Sequence, residues 1–325
     1  MANILVTFSA DEQFRQTVLR TLDRIGNVVF LSDIPAKERS PALRGADVLL
    51  SWNLGSELQP SEFGLISSVK LLQLLSAGVD HVPFSQIPSR ITIASNAGAY
   101  AKPMAEHVLA MILAIFKNLS DRHNKLVNGI FDQTNENRML AGSTCAILGY
   151  GGIGKATARL LRCFGARILA INSSGRTDEP VEFVGTLKDL EYVLRQADVV
   201  IVALPLTNST RDLIGRQELG WMKNDATIIN VARGGIINEA ALFEKLKLHP
   251  SFKAAIDAWW VEPFRDGSFH TNYPLLGLPN VLGSPHNSGL VPDSFVTGVV
   301  RAAENVKRFL NNDPILGVVK RSDYT

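Results

Sequence analysis

Apolar runs too short to be helices recur along this chain, separated by stretches with helical spacing. The first hundred residues carry ILVTF, VVFL, DVLLSW, LLQLL and ITIAS, with helix-like segments near residues 11 to 25 and 60 to 68. Continuous apolar runs of this length, bounded by turn residues, read as strands buried on both faces, as in parallel sheets covered by helices. A strongly apolar helix is predicted from Pro103 to about Phe116, then a polar stretch from Asn118 to Arg138, then a new series: TCAIL, RILAI, VEFV, DVVIVAL, ATIINVA, FKAAIDAW and NVLGS. The fold class expected is α/β, with two doubly wound parallel-sheet domains: a Rossmann unit inserted into a flavodoxin-like one. The last helix, Pro292 to about Leu310, sets Phe295, Val299, Ala302, Val306 and Phe309 on one face. It has no strand of its own to cover, so it is expected to cross back onto the first series. That gives a discontinuous domain of residues 1–100 plus 288–325 around an inserted domain of residues 101–287.

Length supports two cores, since 325 residues exceed the roughly 250 to 300 at which single cores stop growing. Lys plus Arg number 33 against 31 Asp plus Glu, with no run of like charge, so neither nucleic acid nor a membrane surface is an expected partner. The longest apolar run, Val108 to Phe116, is too short to cross a bilayer. MANILVTF enters a strand directly, without the charged region and cleavage site of a signal peptide, and a cytoplasmic location is expected. Cys145 and Cys163 lack metal-type spacing; both read as reduced core residues, and no metal is expected.

Gly149-Tyr150-Gly151-Gly152-Ile153-Gly154 lies between strand-like TCAIL and helix-like KATARLLRCF. In that setting the glycines read as a dinucleotide fingerprint: one for a tight turn, one for close approach of a pyrophosphate, one for helix–strand packing. The next strand, RILAI, ends in Asn172, Ser173, Ser174, Gly175 and Arg176, where an NAD site carries an acid for the ribose. A neutral amide, hydroxyls and a guanidinium would instead donate to a 2′-phosphate, which favours NADP over NAD. The alternative is a polar turn with a solvated arginine.

Three residues, each following an apolar run, form a candidate catalytic set at a sheet's carboxyl edge: Arg233, Glu262 and His286. A planar guanidinium can clamp the carboxylate of a 2-keto acid and polarise its ketone. An imidazolium can give a proton to the oxygen on which charge develops, and a carboxylate paired with it orients the ring and favours its charged form. Asp80-His81 and Glu106-His107 compete for the acid/base role. Adjacent helical residues point apart, and His107 reads as structural.

LSAGVDHV, SNAGAYAKPMAEHVLAMILA, LAGSTCAILGYGGIGKATARLL, ADVVIVALPLTNSTRDLIG, MKNDATIINVARGGIINEAAL, DAWWVEP and LPNVLGSPHNSG resemble the D-isomer-specific 2-hydroxyacid dehydrogenase family over nearly the whole chain. The resemblance implies interconversion of a small 2-keto acid and its 2-hydroxy acid, a substrate domain from both chain ends, a central cofactor domain, catalysis in the cleft between them, and a homodimer. The turn after RILAI is similar to that of the NADPH-preferring glyoxylate and hydroxypyruvate reductases. By the same resemblance, Asp257 binds the nicotinamide amide and Met104 packs on its ring. Leu204, Pro205, Val231 and Ala232 face the cofactor, and Ala77, Gly78 and Val79 hold the substrate carboxylate. Trp52, Asn53, Trp259 and Trp260 either shape the pocket or are plain core. Asn96-Ala97-Gly98 departs from the family by lacking a proline common in that loop. Transcriptional corepressors share the scaffold; the complete Arg, Glu and His set and the lack of an extended tail favour an enzyme. No regulatory domain of the phosphoglycerate dehydrogenase kind is expected, because the sequence stops soon after its last helix.

Overall fold

The computed structural model describes residues 1–22 and 25–325. It divides into two compact units, Met1–Tyr100 with Val291–Thr325, and Ala101–Leu290. In the first, β1 (Ala2–Val6), β2 (Gly26–Phe30), β3 (Val48–Ser51), β4 (Leu71–Leu74) and β5 (Thr92–Ala94) form a parallel sheet in the order β2-β1-β3-β4-β5. Its helices are α1 (Glu12–Leu22), α2 (Arg39–Gly45) and α3 (Leu54–Glu57). Alternate side chains of β1 enter opposite cores: Leu5 joins the α2 side with Leu43 and Leu72, Ile4 and Val6 the α1 side with Val18 and Leu22. This two-sided burial is why the strands read as continuous apolar runs.

The second unit opens with α4 (Ala101–Phe116) and α5 (Leu119–Val127). Its parallel sheet comprises β6 (Thr144–Leu148), β7 (Arg167–Ile171), β8 (Phe183–Gly185), β9 (Val199–Val202), β10 (Thr227–Asn230), β11 (Lys253–Ile256) and β12 (Val281–Gly283), in the order β12-β11-β10-β9-β6-β7-β8. The intervening helices are α6 (Gly152–Cys163), α7 (Leu190–Gln196), α8 (Arg216–Trp221), α9 (Glu239–Leu248) and α10 (Pro263–Asp266). The order reverses between β6 and β9, the switch point at which such sheets bind dinucleotides. The chain then re-enters the first unit as α11 (Ser294–Leu310), whose buried Val299, Ala302, Ala303 and Val306 join Val18 and Leu22 of α1. No helix of the described residues is long and apolar enough to cross a membrane.

The helical segment expected near residues 60 to 68 is a 3-10 helix, Pro60–Ser68, kinked at Ile66. Two local expectations need correction. The stretch from Asn118 to Arg138 contains α5, whose apolar Leu119, Leu126 and Val127 are exposed, so no buried stripe marks it as helical. Cys163 is exposed at the end of α6, whereas Cys145 is buried; the helix turns its last residue away from the core. The first helix ends at Leu22, and positions 23 and 24 of its expected span lie outside the described residues.

Candidate active site

The turn after β6 has the geometry its glycines require. Gly149 adopts φ +102°, and a Cβ there would stand inside the carbonyl of Ala203, which follows β9. Only glycine takes this conformation without strain and lets the loops after β6 and β9 touch. A Cβ on Gly154 would overlap the Gly149 carbonyl, so α6 lies close against the strand. At Gly151, by contrast, a Cβ would meet nothing within 4 Å. The backbone is therefore open where a pyrophosphate would approach, beside Gly152 and Ile153 at the start of α6, whose N–H groups lack helical acceptors. These residues fit a dinucleotide. The Tyr150 ring is buried among Val108, Met111 and Ile147, so its contribution to the turn is its backbone N–H, donated to Ile171 O at 3.0 Å. Met104 packs against the same cluster, and Leu204 against the opposite one; Val231 and Ala232 lie buried after β10, with Pro205 exposed after β9.

The turn after β7 is organised by Asn172. Its Oδ1 accepts from the N–H groups of Ser174 at 3.0 Å and Gly175 at 2.7 Å, and its Nδ2 donates to Arg176 O at 2.8 Å. Asn172 thus shapes the turn, while Ser173, Ser174 and Arg176 are exposed on it. The acids that follow are engaged elsewhere: Asp178 pairs with Lys155 at 2.6 Å, Glu179 with Arg159 and with Arg162 at 3.2 Å.

Arg233, Glu262 and His286 come together beyond β10, β11 and β12. His286 Nδ1 lies 2.7 Å from Glu262 Oε2, and Glu262 Oε1 accepts the Trp259 N–H at 2.6 Å. Burial alone would push the Glu262 carboxyl up. The hydrogen bond and charge of His286, the Trp259 N–H and the charge of Arg233 together hold it below the usual glutamate range. Arg233 is half-buried and its Nη1 donates to Ala232 O at 2.7 Å. A Cβ on the next residue, Gly234, would collide with the backbone of Trp259 and Trp260, so only glycine lets the Arg233 loop lie against the loop that carries Glu262.

His286 itself adopts φ +52°, a left-handed conformation costing a non-glycine residue about 1–2 kcal/mol. Asp257, fully buried just past β11, holds the chain there. It accepts from Ser284 Oγ at 2.5 Å, from Asn287 N at 3.1 Å and from Ser288 N at 3.1 Å, bracketing His286 on both sides. Burial works to raise its pKa, but the Ser284 and Ser288 hydroxyls, His107 and the Ser288 N–H outweigh it and hold Asp257 below the usual aspartate range. Trp259 Nε1 donates to Ser284 O at 2.8 Å, and Trp260 Nε1 to Ile237 O at 2.7 Å. Trp259 is therefore structural, tying the Glu262 and His286 loops together. Ser284, Ser288 and Trp259's role in this scaffold were missed from the sequence, where only hydroxyls flanking the His286 loop hinted at them.

The remaining sequence-predicted residues belong to the first unit. Trp52 and Asn53 follow β3, and their N–H groups donate to Glu57 Oε1 at 3.0 and 2.6 Å, while the Trp52 ring meets Phe295 at 5.3 Å. Ala77 and Gly78 are half-buried and Val79 buried in the turn after β4. His81 Nε2 lies 3.4 Å from Trp52 O.

Residues 109–288 match the family described as D-isomer specific 2-hydroxyacid dehydrogenase, NAD binding domain. The chain belongs to the D-isomer specific 2-hydroxyacid dehydrogenase family. It is 31% identical to the hydroxypyruvate reductase of Thermotoga maritima, over 67% of this chain and 70% of that protein. With the D-3-phosphoglycerate dehydrogenase of Methanocaldococcus jannaschii it shares 28% identity over 98% of its own length, but it spans only 59% of that relative. A solved structure of a glycerate dehydrogenase related protein from Thermoplasma acidophilum superposes with a TM-score of 0.64 at 30% identity, covering 94% of this chain and 99% of that one. The second unit is accordingly an NAD(P)-binding domain of the 2-hydroxyacid dehydrogenase class.

Because Asp257 is held below its ordinary pKa, its ionised form contributes stability above about pH 4 that is lost as pH falls through the depressed value. Asp257→Asn is expected to cost about 2 kcal/mol at pH 7. Urea midpoints of both proteins, taken from pH 7 to pH 3, should converge only at the acid end.

Proposed function

We propose that this protein reduces a small 2-keto acid to its D-2-hydroxy acid with NADPH, and catalyses the reverse oxidation. The observation that carries this is the 2.7 Å contact of His286 Nδ1 with Glu262 Oε2, on a carboxylate that also feels the charge of Arg233. When bound, the reduced nicotinamide supplies the hydride. Arg233 clamps the substrate carboxylate and polarises the ketone through its fixed fork of donors. With Nδ1 donating to Glu262, His286 presents Nε2 for proton exchange with the carbonyl oxygen, giving a proton in reduction and taking it back in oxidation. Glu262, 2.7 Å from Nδ1, orients the ring and fixes its tautomer. The hydroxypyruvate reductase of Thermotoga maritima among the relatives supports a short substrate such as hydroxypyruvate or glyoxylate.

The preference for NADPH rests on the turn after β7. Arg176 is exposed, and among the described residues its side chain has no ion-pair partner, while Lys155, Arg159 and Arg162 neutralise the acids beside it. A guanidinium so placed favours a ligand with an extra phosphate. We also assign a homodimer. Leu126, Val127, Ile130 and Phe131 are exposed on and just after α5, and large apolar side chains exposed so close together in the chain favour an interaction surface.

A panel of small 2-keto acids, run with NADPH and NADH side by side, is expected to show loss of reduced-nicotinamide absorbance. His286→Ala should lower turnover by about 10² to 10⁴-fold, and unchanged turnover would remove the proton donor from this scheme. Glu262→Gln should shift the pH optimum of reduction downward, since it removes the negative charge that lies 2.7 Å from His286 Nδ1; an upward shift contradicts the pairing. Arg176→Ala is expected to raise the KM for NADPH by about 10- to 100-fold, as a lost charged hydrogen bond would, and to leave NADH little changed. Equal losses would make Arg176 a scaffold residue. Light scattering should give twice the mass of one chain, falling to one chain in Phe131→Asp; a monomer from the start refutes the dimer.

A further inference from the structure

His107 projects from α4 toward the His286 loop, where the scheme above gives it no task. Its Nε2 lies 3.0 Å from Ser284 Oγ and 3.8 Å from Asp257 Oδ1. The proton on this bond can be assigned by elimination. A serine hydroxyl has one proton, and that of Ser284 is given to the Asp257 carboxylate, which at neutral pH only accepts. Ser284 Oγ must therefore accept from His107, and His107 carries its proton on Nε2. The two imidazoles have opposite roles: His286 keeps Nε2 open, whereas His107 spends the same atom on the loop that carries His286.

Ser284 is thus held at each polar atom that faces the unit. Its carbonyl accepts from Trp259, its hydroxyl donates to Asp257 and accepts from His107. Two residues on, the backbone turns left-handed at His286, a conformation that persists only when the surroundings over-determine it. We infer that His107 is a positioning residue for His286: its Nε2–H completes the clamp on Ser284 that keeps this loop in the one turn delivering Nδ1 to Glu262. The expected effect on turnover rests on His286 being the proton donor; the positioning itself rests on the contacts of Ser284. The charged group facing His107 is Asp257, and the one facing His286 is Glu262, with Arg233 beyond it.

Three variants separate positioning from packing or cofactor binding: His107→Leu removes the donor, His107→Gln keeps an N–H at similar reach, and Ser284→Ala removes the shared hydroxyl. His107→Leu and Ser284→Ala are expected to lower kcat about tenfold, with the dissociation constant for NADPH, read by nicotinamide fluorescence, within about twofold of wild type. The pH optimum of reduction should move down, as in Glu262→Gln, because the pairing with Glu262 is loosened. His107→Gln should recover most of kcat and the wild-type pH profile. In ¹⁵N NMR of the histidine rings, His107→Leu should weaken the Nδ1-bonded signature of His286. An unchanged kcat and His286 ring signal in His107→Leu would overturn the inference, as would equal losses in the Leu and Gln variants accompanied by weaker NADPH binding. The ring signal needs no turnover, so the two readings fail separately: if His286→Ala stays active while His107→Leu still perturbs the ring, the proton-donor reading falls and the positioning stands.

Discussion

The Asp257 carboxylate, wholly out of solvent at the end of β11, is the constraint on which the candidate site depends. A buried charge is tolerated only when its lone pairs are filled, and here the donors come from one short segment, Ser284 to Ser288. The requirement works in both directions. The carboxylate needs those N–H and O–H groups, and the segment can satisfy them only by folding into the turn that puts His286 at φ +52°. The strain at His286 is thus offset by hydrogen bonds to its neighbours, not by contacts of its own ring.

Glu262 solves a different problem with the same functional group. Its carboxylate is partly exposed, with one oxygen fixed by the Trp259 backbone and the other turned to His286. Both acids are held below their ordinary pKa against the effect of burial, but Asp257 is saturated by loop donors while Glu262 keeps an oxygen for the His286 imidazole. Trp259 connects them: its backbone steadies Glu262, its indole holds the Ser284 carbonyl, and its flat backbone lies against Gly234 beside Arg233. One aromatic residue sets the spacing of the loops after three strands.

Much of this was legible in the chain. The strands could be read because burial on both sheet faces leaves unbroken apolar runs, and Arg233, Glu262 and His286 could be singled out because each follows such a run. What was not legible depends on direction. α5 carries its apolar residues outward, so its period does not advertise a core. Cys163 lies two residues beyond Leu161, the last buried residue of α6. Asn172, weighed as a ligand for a phosphate, spends its side chain on its own turn, a local competition that composition alone does not reveal. Ser284 and His107 are separated by 177 positions, and no local pattern joins a serine at a strand end to a histidine on a distant helix.

The pairing of those distant residues also explains why an imidazole, and not a simple amide, suits position 107 without being required there. The residue must donate to a hydroxyl that is already donating to a carboxylate, in a chain of three polar groups whose members polarise one another. Histidine provides that donor from a rigid ring anchored on α4, with Nε2 3.0 Å from the Ser284 hydroxyl. A lysine would bring a permanent cation beside a carboxylate already held in its charged form, with a long flexible stem to order. An apolar residue would leave the serine oxygen short of a partner at the point where the backbone is about to enter its strained turn. The network therefore selects for a short, stiff side chain that donates from a fixed point, and a similar ring-to-carboxylate geometry recurs at His286, whose Nδ1 lies 2.7 Å from Glu262.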